Sequence, residues 1–227
     1  MRFDGQLALR EVTVHIRPGE RVGVCGGPGS GKTTLLKALA GLRRPDQGFV
    51  RWDGEDPVRL PPEGRRHRQA SFGMVFQTDA LFDAETVRQN VLAPLLRRGV
   101  PKEEAHARAD EALSQVGLAN AKDKLPGQLS GGMQKRAGIA RAIVARPEVL
   151  LADDPLAGLD PSTASQVASL LRQVSEGRTL VVAMPDPLPW VDASRWLLLE
   201  EGRLVYDGAI HGAQKARERT SGAEDRA

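Results

Sequence analysis

Apolar and polar positions alternate with a period of two along residues 7–16, through Leu7 and Leu9 and then Val12, Val14 and Ile16. That pattern predicts a strand, closed by the turn Arg17-Pro18-Gly19-Glu20. Residues 21–25 read as a short apolar strand that runs into a glycine-dense segment, and residues 33–40 as a helix. A further strand is expected over 48–52, ended by Asp53-Gly54. Residues 55–68 are polar and hold Pro57, Pro61 and Pro62 among Arg59, Arg65, Arg66 and Arg68, the pattern of a surface loop or short helix. Residues 72–76 read as a buried strand. From residue 84 to 119 the period becomes helical, broken at Pro94 and at Gly99-Val100-Pro101. A helix opens at Lys102-Glu103-Glu104, with apolar positions at Ala105, Ala109, Ala112, Leu113 and Val116. Helices over 132–145 and 163–174 then bracket a strand over 149–152. A strand over 179–184 follows, and a hairpin of 195–200 with 203–206 around Glu201-Gly202. The charged tail, 214–227, is expected to fray.

Strands interleaved with helices imply an α/β fold with a mainly parallel sheet covered on both faces. An antiparallel β part precedes it and an α-helical insert, about residues 78–145, interrupts it. The reading is one domain over 1–213 followed by the tail. Length and composition agree: 227 residues, 41% hydrophobic and 27% charged, suffice for one packed core. The net charge of +3 is small and the aromatics are few (five Phe, three Trp, one Tyr), so no nucleic-acid partner is expected and the arginine clusters read as solvated surface. Cys25 stands alone, which excludes an internal disulfide and a multi-cysteine metal site; it reads as a small buried hydrophobe. No apolar run approaches the roughly 18–20 residues of a membrane span, and the N-terminus lacks the apolar stretch of a secretory signal. A soluble cytoplasmic domain is expected.

The candidate chemistry begins at Gly26-Gly27-Pro28-Gly29-Ser30-Gly31-Lys32-Thr33, followed by Thr34. It fits G-x-x-x-x-G-K-[ST] and lies between a predicted strand and a predicted helix. Glycines let backbone N–H groups curl around phosphate oxygens, and the helix aims its positive end at them. Lys32 can reach the outer phosphates, and the Thr33 hydroxyl can hold Mg²⁺. Such a metal also needs a carboxylate at the end of a buried strand, which Asp153 supplies. The expected ligand is a nucleoside triphosphate with Mg²⁺.

Further along come Gln77, then Leu129-Ser130-Gly131-Gly132-Met133-Gln134, then Asp153, then Ala157-Gly158-Leu159-Asp160. In this order they resemble the ATP-binding subunits of ABC transporters, over essentially the whole chain. The resemblance implies the ABC ATPase fold, an α/β P-loop NTPase core, with ATP and Mg²⁺ as ligands. It implies that Ser130, Gly131 and Gly132 face the γ-phosphate held by a second ATP-binding subunit in a head-to-tail homo- or heterodimer. It implies that Gln77 senses Mg²⁺ and the attacking water, so that Thr33, Gln77 and Asp153 form the metal set. It also implies that Asp160 couples the two sites and that Phe3 stacks on adenine. An integral-membrane permease is the implied partner, which places the subunit at the cytoplasmic face of the membrane. The chain starts later than is usual for the family, so part of a first strand is expected to be missing.

Met133, with Lys135 and Arg136 after it, and the stretches at 80–83 and 86–95 are similar to the ATPases of Mla-type lipid transporters. That finer resemblance implies a phospholipid cargo and an MCE-domain lipid-binding protein as a further partner. Two positions depart from the family. Asp154 stands where a glutamate polarises the attacking water, and its carboxylate is one methylene shorter. Pro185 stands where a histidine contacts the γ-phosphate, and proline has no side-chain donor and no N–H. Binding parts intact and hydrolytic parts weakened imply a slow ATPase. The alternatives are a degenerate subunit that completes a competent partner's site, and a soluble ABC ATPase outside transport.

Overall fold

The structure is a computed structural model and describes residues 1–3, 6–57, 59–78 and 80–224. Two short strands, β1 (Arg2–Phe3) and β2 (Gln6–Leu7), pair antiparallel at the N-terminus. The strand expected over 7–16 does not form beyond Leu7. Residues 8–20 carry no ladder, although Leu9 is buried and Glu11, Thr13 and His15 are exposed in alternation. In the further strand expected over 48–52, only Trp52 makes a bridge, to Glu55 across the Asp53-Gly54 turn. Alternation selects which side chains face inward, but a strand also needs a neighbouring backbone to bond.

The chain continues through β3 (Arg21–Cys25), α1 (Lys32–Leu39) and α2 (Pro62–Gln69), the last burying none of its residues. Next come β4 (Phe72–Val75), α3 (Val87–Leu96), α4 (Lys102–Gln115), α5 (Gly131–Ile143) and β5 (Val149–Asp153). The remaining elements are α6 (Pro161–Val174), β6 (Thr179–Ala183), β7 (Arg195–Glu200), β8 (Arg203–Gly208) and α7 (Ile210–Glu224). No helix among the described residues is long and apolar enough to cross a membrane.

The chain divides into two compact units, Met1–Gln69 with Thr179–Ala227, and Ala70–Arg178. In the first, β3 lies between β6 and β7 and runs parallel to both, while β8 closes the hairpin antiparallel to β7. Val22, Val24, Val181 and Leu197 are among its buried side chains. Gly23 leaves room for the Trp196 ring on the neighbouring strand; a Cβ there would meet the ring at 2.4 Å.

Of the tail expected to fray, residues 214–224 belong to α7. The Tyr206 ring packs where a Cβ on Gly212 would stand, its hydroxyl donates to the Ala209 carbonyl at 3.0 Å, and Ala213 is fully buried. The charged residues Lys215, Glu218 and Arg219 make up an exposed side of this helix, and their charge gave no sign of its docked side.

In the second unit, β4 and β5 are parallel, with Val75 opposite Ala152. Pro94 does not break the helical pattern as expected: it lies inside α3, which continues to Leu96. The helix starts from a capping box of Thr86 with Gln89 and is fastened by the buried side chain of Asn90. The Asn90 amide donates to the carbonyls of Phe82, Glu85 and Thr86, each at 3.1 Å, and its oxygen accepts the Phe82 N–H at 2.7 Å. On α4, Ala105, Ala109, Ala112 and Leu113 form the buried face that their spacing predicts. Their small size lets α4 pack closely against α3 and α5.

Candidate functional site

The phosphate loop occupies the first unit. β3 ends at Cys25, and Gly26, Gly29 and Gly31 follow with φ of 145°, 74° and 102°. Gly26 and Gly31 need to be glycine for a second reason: a Cβ would stand 2.1 Å from the Leu199 carbonyl oxygen and 2.4 Å from that of Ala8. The Lys32 ammonium folds back over the loop and donates to the carbonyls of Gly26 and Gly27 at 2.7 and 2.8 Å. Ser30 is buried, and its carbonyl accepts the N–H of Gly202 at 3.2 Å, so the β7–β8 turn supports the loop. α1 begins directly after Gly31 with no side-chain cap and no acidic residue in its first turn. Its leading N–H groups, with Thr33 and Thr34 half-buried beside them, therefore favour an anion. Glycine turns, a folded-back lysine and an uncapped helix start together fit a polyphosphate.

Position 185 adjoins this loop. β6 runs beside β3 with Ala183 opposite Val24, and the Gly26 N–H donates to the Pro185 carbonyl at 3.1 Å. The next residue, Asp186, accepts from Nε of Arg217 on α7 at 3.2 Å. Cys25 is fully buried, with Sγ 3.5 Å from the Leu197 carbonyl. Burial pushes its thiol from the ordinary 9.0 up to about 12, against a downward pull from Arg217.

The second unit brings Gln77, Asp153 and Asp154 to one edge, because β4 and β5 are parallel and paired in register, Asp153 ends β5, and Gln77 and Asp154 lie just past the carboxyl ends of the two strands. Asp153 is 4% exposed and Asp154 half-buried. Asp154 has φ 42°, a left-handed conformation that aspartate enters more readily than longer side chains. The Gln77 carbonyl accepts from the ammonium of Lys135, which is itself 4% exposed. No group of three or more His, Cys, Asp or Glu gathers among the described residues as a metal cage. Within this unit, Gln77 and Asp153 carry side-chain oxygens of the kind Mg²⁺ takes.

Ser130 caps α5, its hydroxyl accepting the Met133 N–H at 3.4 Å, and Gly131 and Gly132 form the first turn. A Cβ on Gly132 would lie 2.5 Å from Cγ2 of Thr163, whereas one on Gly131 would meet only Leu159, at 3.9 Å. Asp160 caps α6, accepting from Ser162 and Thr163 N–H at 3.0 and 3.1 Å. Hydrogen bonds from Thr163, the side chain first, hold its carboxyl below the usual range. Phe3 lies on β1, but its side chain is outside the described residues, as is the adenine-stacking role expected of it. Sequence reasoning missed Arg217 altogether, because a contact 31 residues from Asp186 leaves no local spacing signal.

The ABC transporter family model matches residues 9–157. The methionine import ATP-binding protein MetN of Myxococcus xanthus is 42% identical over 207 residues, which span 89% of this chain and 62% of that protein. The L-cystine transport system ATP-binding protein TcyN of Escherichia coli is 39% identical over 216 residues, 92% of this chain and 86% of that protein. The chain thus spans 62% of the methionine-import relative's length, less than two thirds. Among solved structures, the post-hydrolysis dimer of the ATP-binding cassette MJ0796 with ADP and Pi matches with TM-score 0.80 and 32% identity. It covers 89% of this chain and 90% of that one.

Proposed function

This chain belongs to the ABC transporter family, and from that premise we propose that it is the ATP-binding, ATP-hydrolysing subunit that energises a membrane transporter. The observation that carries the proposal is the phosphate loop, with Lys32 already folded onto Gly26 and Gly27 beside an uncapped helix start. Lys32 balances phosphate charge, and backbone N–H groups of the loop and the start of α1, among them those of Gly29, Gly31, Lys32 and Thr33, hold phosphate oxygens. Mg²⁺, held by Thr33, Gln77 and Asp153, would neutralise further charge on the phosphates. Ser130, Gly131 and Gly132 serve the site of a second ATP-binding subunit, and a dimeric cassette of matching fold supports that pairing. A permease at the cytoplasmic face of the membrane is the proposed anchor, which the relatives named for methionine import and cystine transport support.

Hydrolysis is proposed to be slow. Asp154 holds its carboxylate on a side chain one methylene shorter than glutamate, and a misplacement of about 1 Å can cost roughly 10²-fold. Pro185 offers no donor, and its carbonyl is engaged by Gly26. The test is phosphate release at saturating Mg·ATP, where turnover equal to that of ordinary family ATPases would sink this reading. Asp154 and Pro185 also favour a second reading, a degenerate subunit that binds ATP and completes a competent partner. ATP binding with no turnover alone, and restored turnover with a second subunit, would select it.

The relatives named for methionine import and cystine transport support an amino-acid cargo. Phospholipid cargo with an MCE-domain partner rests on Met133 and the segment after Gln77 alone, and none of the relatives named above is named for it. Pull-down of the associated permease, followed by binding assays with methionine, cystine and phospholipid, separates the two.

A further inference from the structure

We propose that Arg217 contacts the outer phosphates, those that AMP lacks, in the nucleotide site, a role that rests on the reading of residues 26–33 as a triphosphate loop. Its Nε donates to Asp186 at 3.2 Å. The other end of the fork turns toward the loop: a Cβ on Gly27 would stand 3.7 and 3.9 Å from the two Nη atoms. The side chain is 15% exposed although it belongs to the last helix of the chain. Pro185, between the loop and Asp186, brings no donor of its own and is closed onto Gly26 through its carbonyl.

An arginine oriented through Nε by a carboxylate presents its Nη pair in a fixed plane. That geometry meets two oxygens of a phosphate at once. Lys32, a point charge, stands over the Gly26 and Gly27 carbonyls of the same loop. The loop is therefore served by two cations of different shape, one within its own motif and one 184 residues beyond. Asp186 is 60% exposed and positions the guanidinium without competing for the phosphate side. Gly27 is the loop residue that the Nη pair faces, since a Cβ there would be in ordinary contact with both nitrogens.

The test measures affinity for a non-hydrolysed ATP analogue with Mg²⁺, and for AMP, by calorimetry on the full chain. With Arg217→Gln the analogue should bind about tenfold more weakly and AMP less than twofold. Arg217→Lys should recover only part of the loss. Equal losses for both nucleotides, or no loss in a variant with unchanged helix content, would overturn the proposal and leave Arg217 as an anchor for α7. Should the variants not fold, arginine modification by phenylglyoxal in the unaltered protein decides. The analogue protects Arg217 if it contacts phosphate, and unimpeded labelling at saturation overturns the contact. Wild-type protein that binds no analogue would fail the nucleotide reading itself, a different result from tight wild-type binding that Arg217→Gln leaves unchanged.

Discussion

The buried ammonium of Lys135, on α5, donates to the main-chain carbonyl of Gln77. From the same helix Arg141 donates to the Ala80 carbonyl. The segment that leaves β4 is therefore fastened at two points to the helix that starts at the Ser130-Gly131-Gly132 element. Lys135→Met removes one fastening and leaves a polar carbonyl without that donor. Unfolding free energy in urea should fall by about 1–3 kcal/mol, and amide exchange at residues 77–80 should quicken. Unchanged exchange there would show that the contact positions nothing.

Gly131 and Gly132 should respond differently to alanine. The methyl group at 132 meets Thr163 Cγ2 at 2.5 Å, on a β-branched side chain with little freedom to move away. At 131 the space is open. Gly132→Ala should lower the melting temperature by several degrees, while Gly131→Ala should leave it within about a degree. Calorimetric scans of both variants check this, and equal shifts would contradict the packing argument.

Asp154→Glu combined with Pro185→His should raise ATP turnover. Residue 154 sits at φ 42°, where glutamate is less at ease than aspartate, so a stability loss of about 1 kcal/mol should accompany the gain. Phosphate release and thermal melts on the same preparation measure both. An unchanged rate would place the defect elsewhere.

Asn90→Ala removes four hydrogen bonds made by a fully buried amide; the Phe82 N–H and the Glu85 carbonyl lose that partner, while the Phe82 and Thr86 carbonyls keep the N–H groups of Glu85 and residue 90. The expected loss is about 2–4 kcal/mol, read by chemical denaturation. A loss under about 0.5 kcal/mol would mean that water replaces the side chain.

Cys25 should make stability fall with alkaline pH. Its thiol titrates near 9.0 in the unfolded chain and about 12 in the fold, because burial disfavours the thiolate. Between those values the unfolded chain has lost a proton the folded chain retains, so unfolding becomes easier as pH rises. Below pH 9 the contribution is fully present. Cys25→Ala should flatten the decline between pH 9 and 11, and native protein at pH 8 should resist maleimide labelling.

The sequence by itself determined the elements whose signals are local. The loop at 26–33 was legible because glycines, lysine and threonine sit at fixed offsets, and α4 because Ala105, Ala109, Ala112 and Leu113 recur with the helical period. Asp153 could be read from the short apolar run that it ends, and Gln77 only through the family resemblance. Their shared edge could not, since it follows from the parallel register of β4 with β5. Only the tertiary structure decided whether a segment finds a partner. It withheld a ladder from residues 8–16, let α3 run through Pro94, and turned the charged tail into a helix by seating Gly212 against Tyr206. The same docking carries Arg217 to Asp186 and to the edge of Gly27. Backbone pairing and side-chain contact are set by distance in space, and no periodicity along the chain records which distant residues will share it.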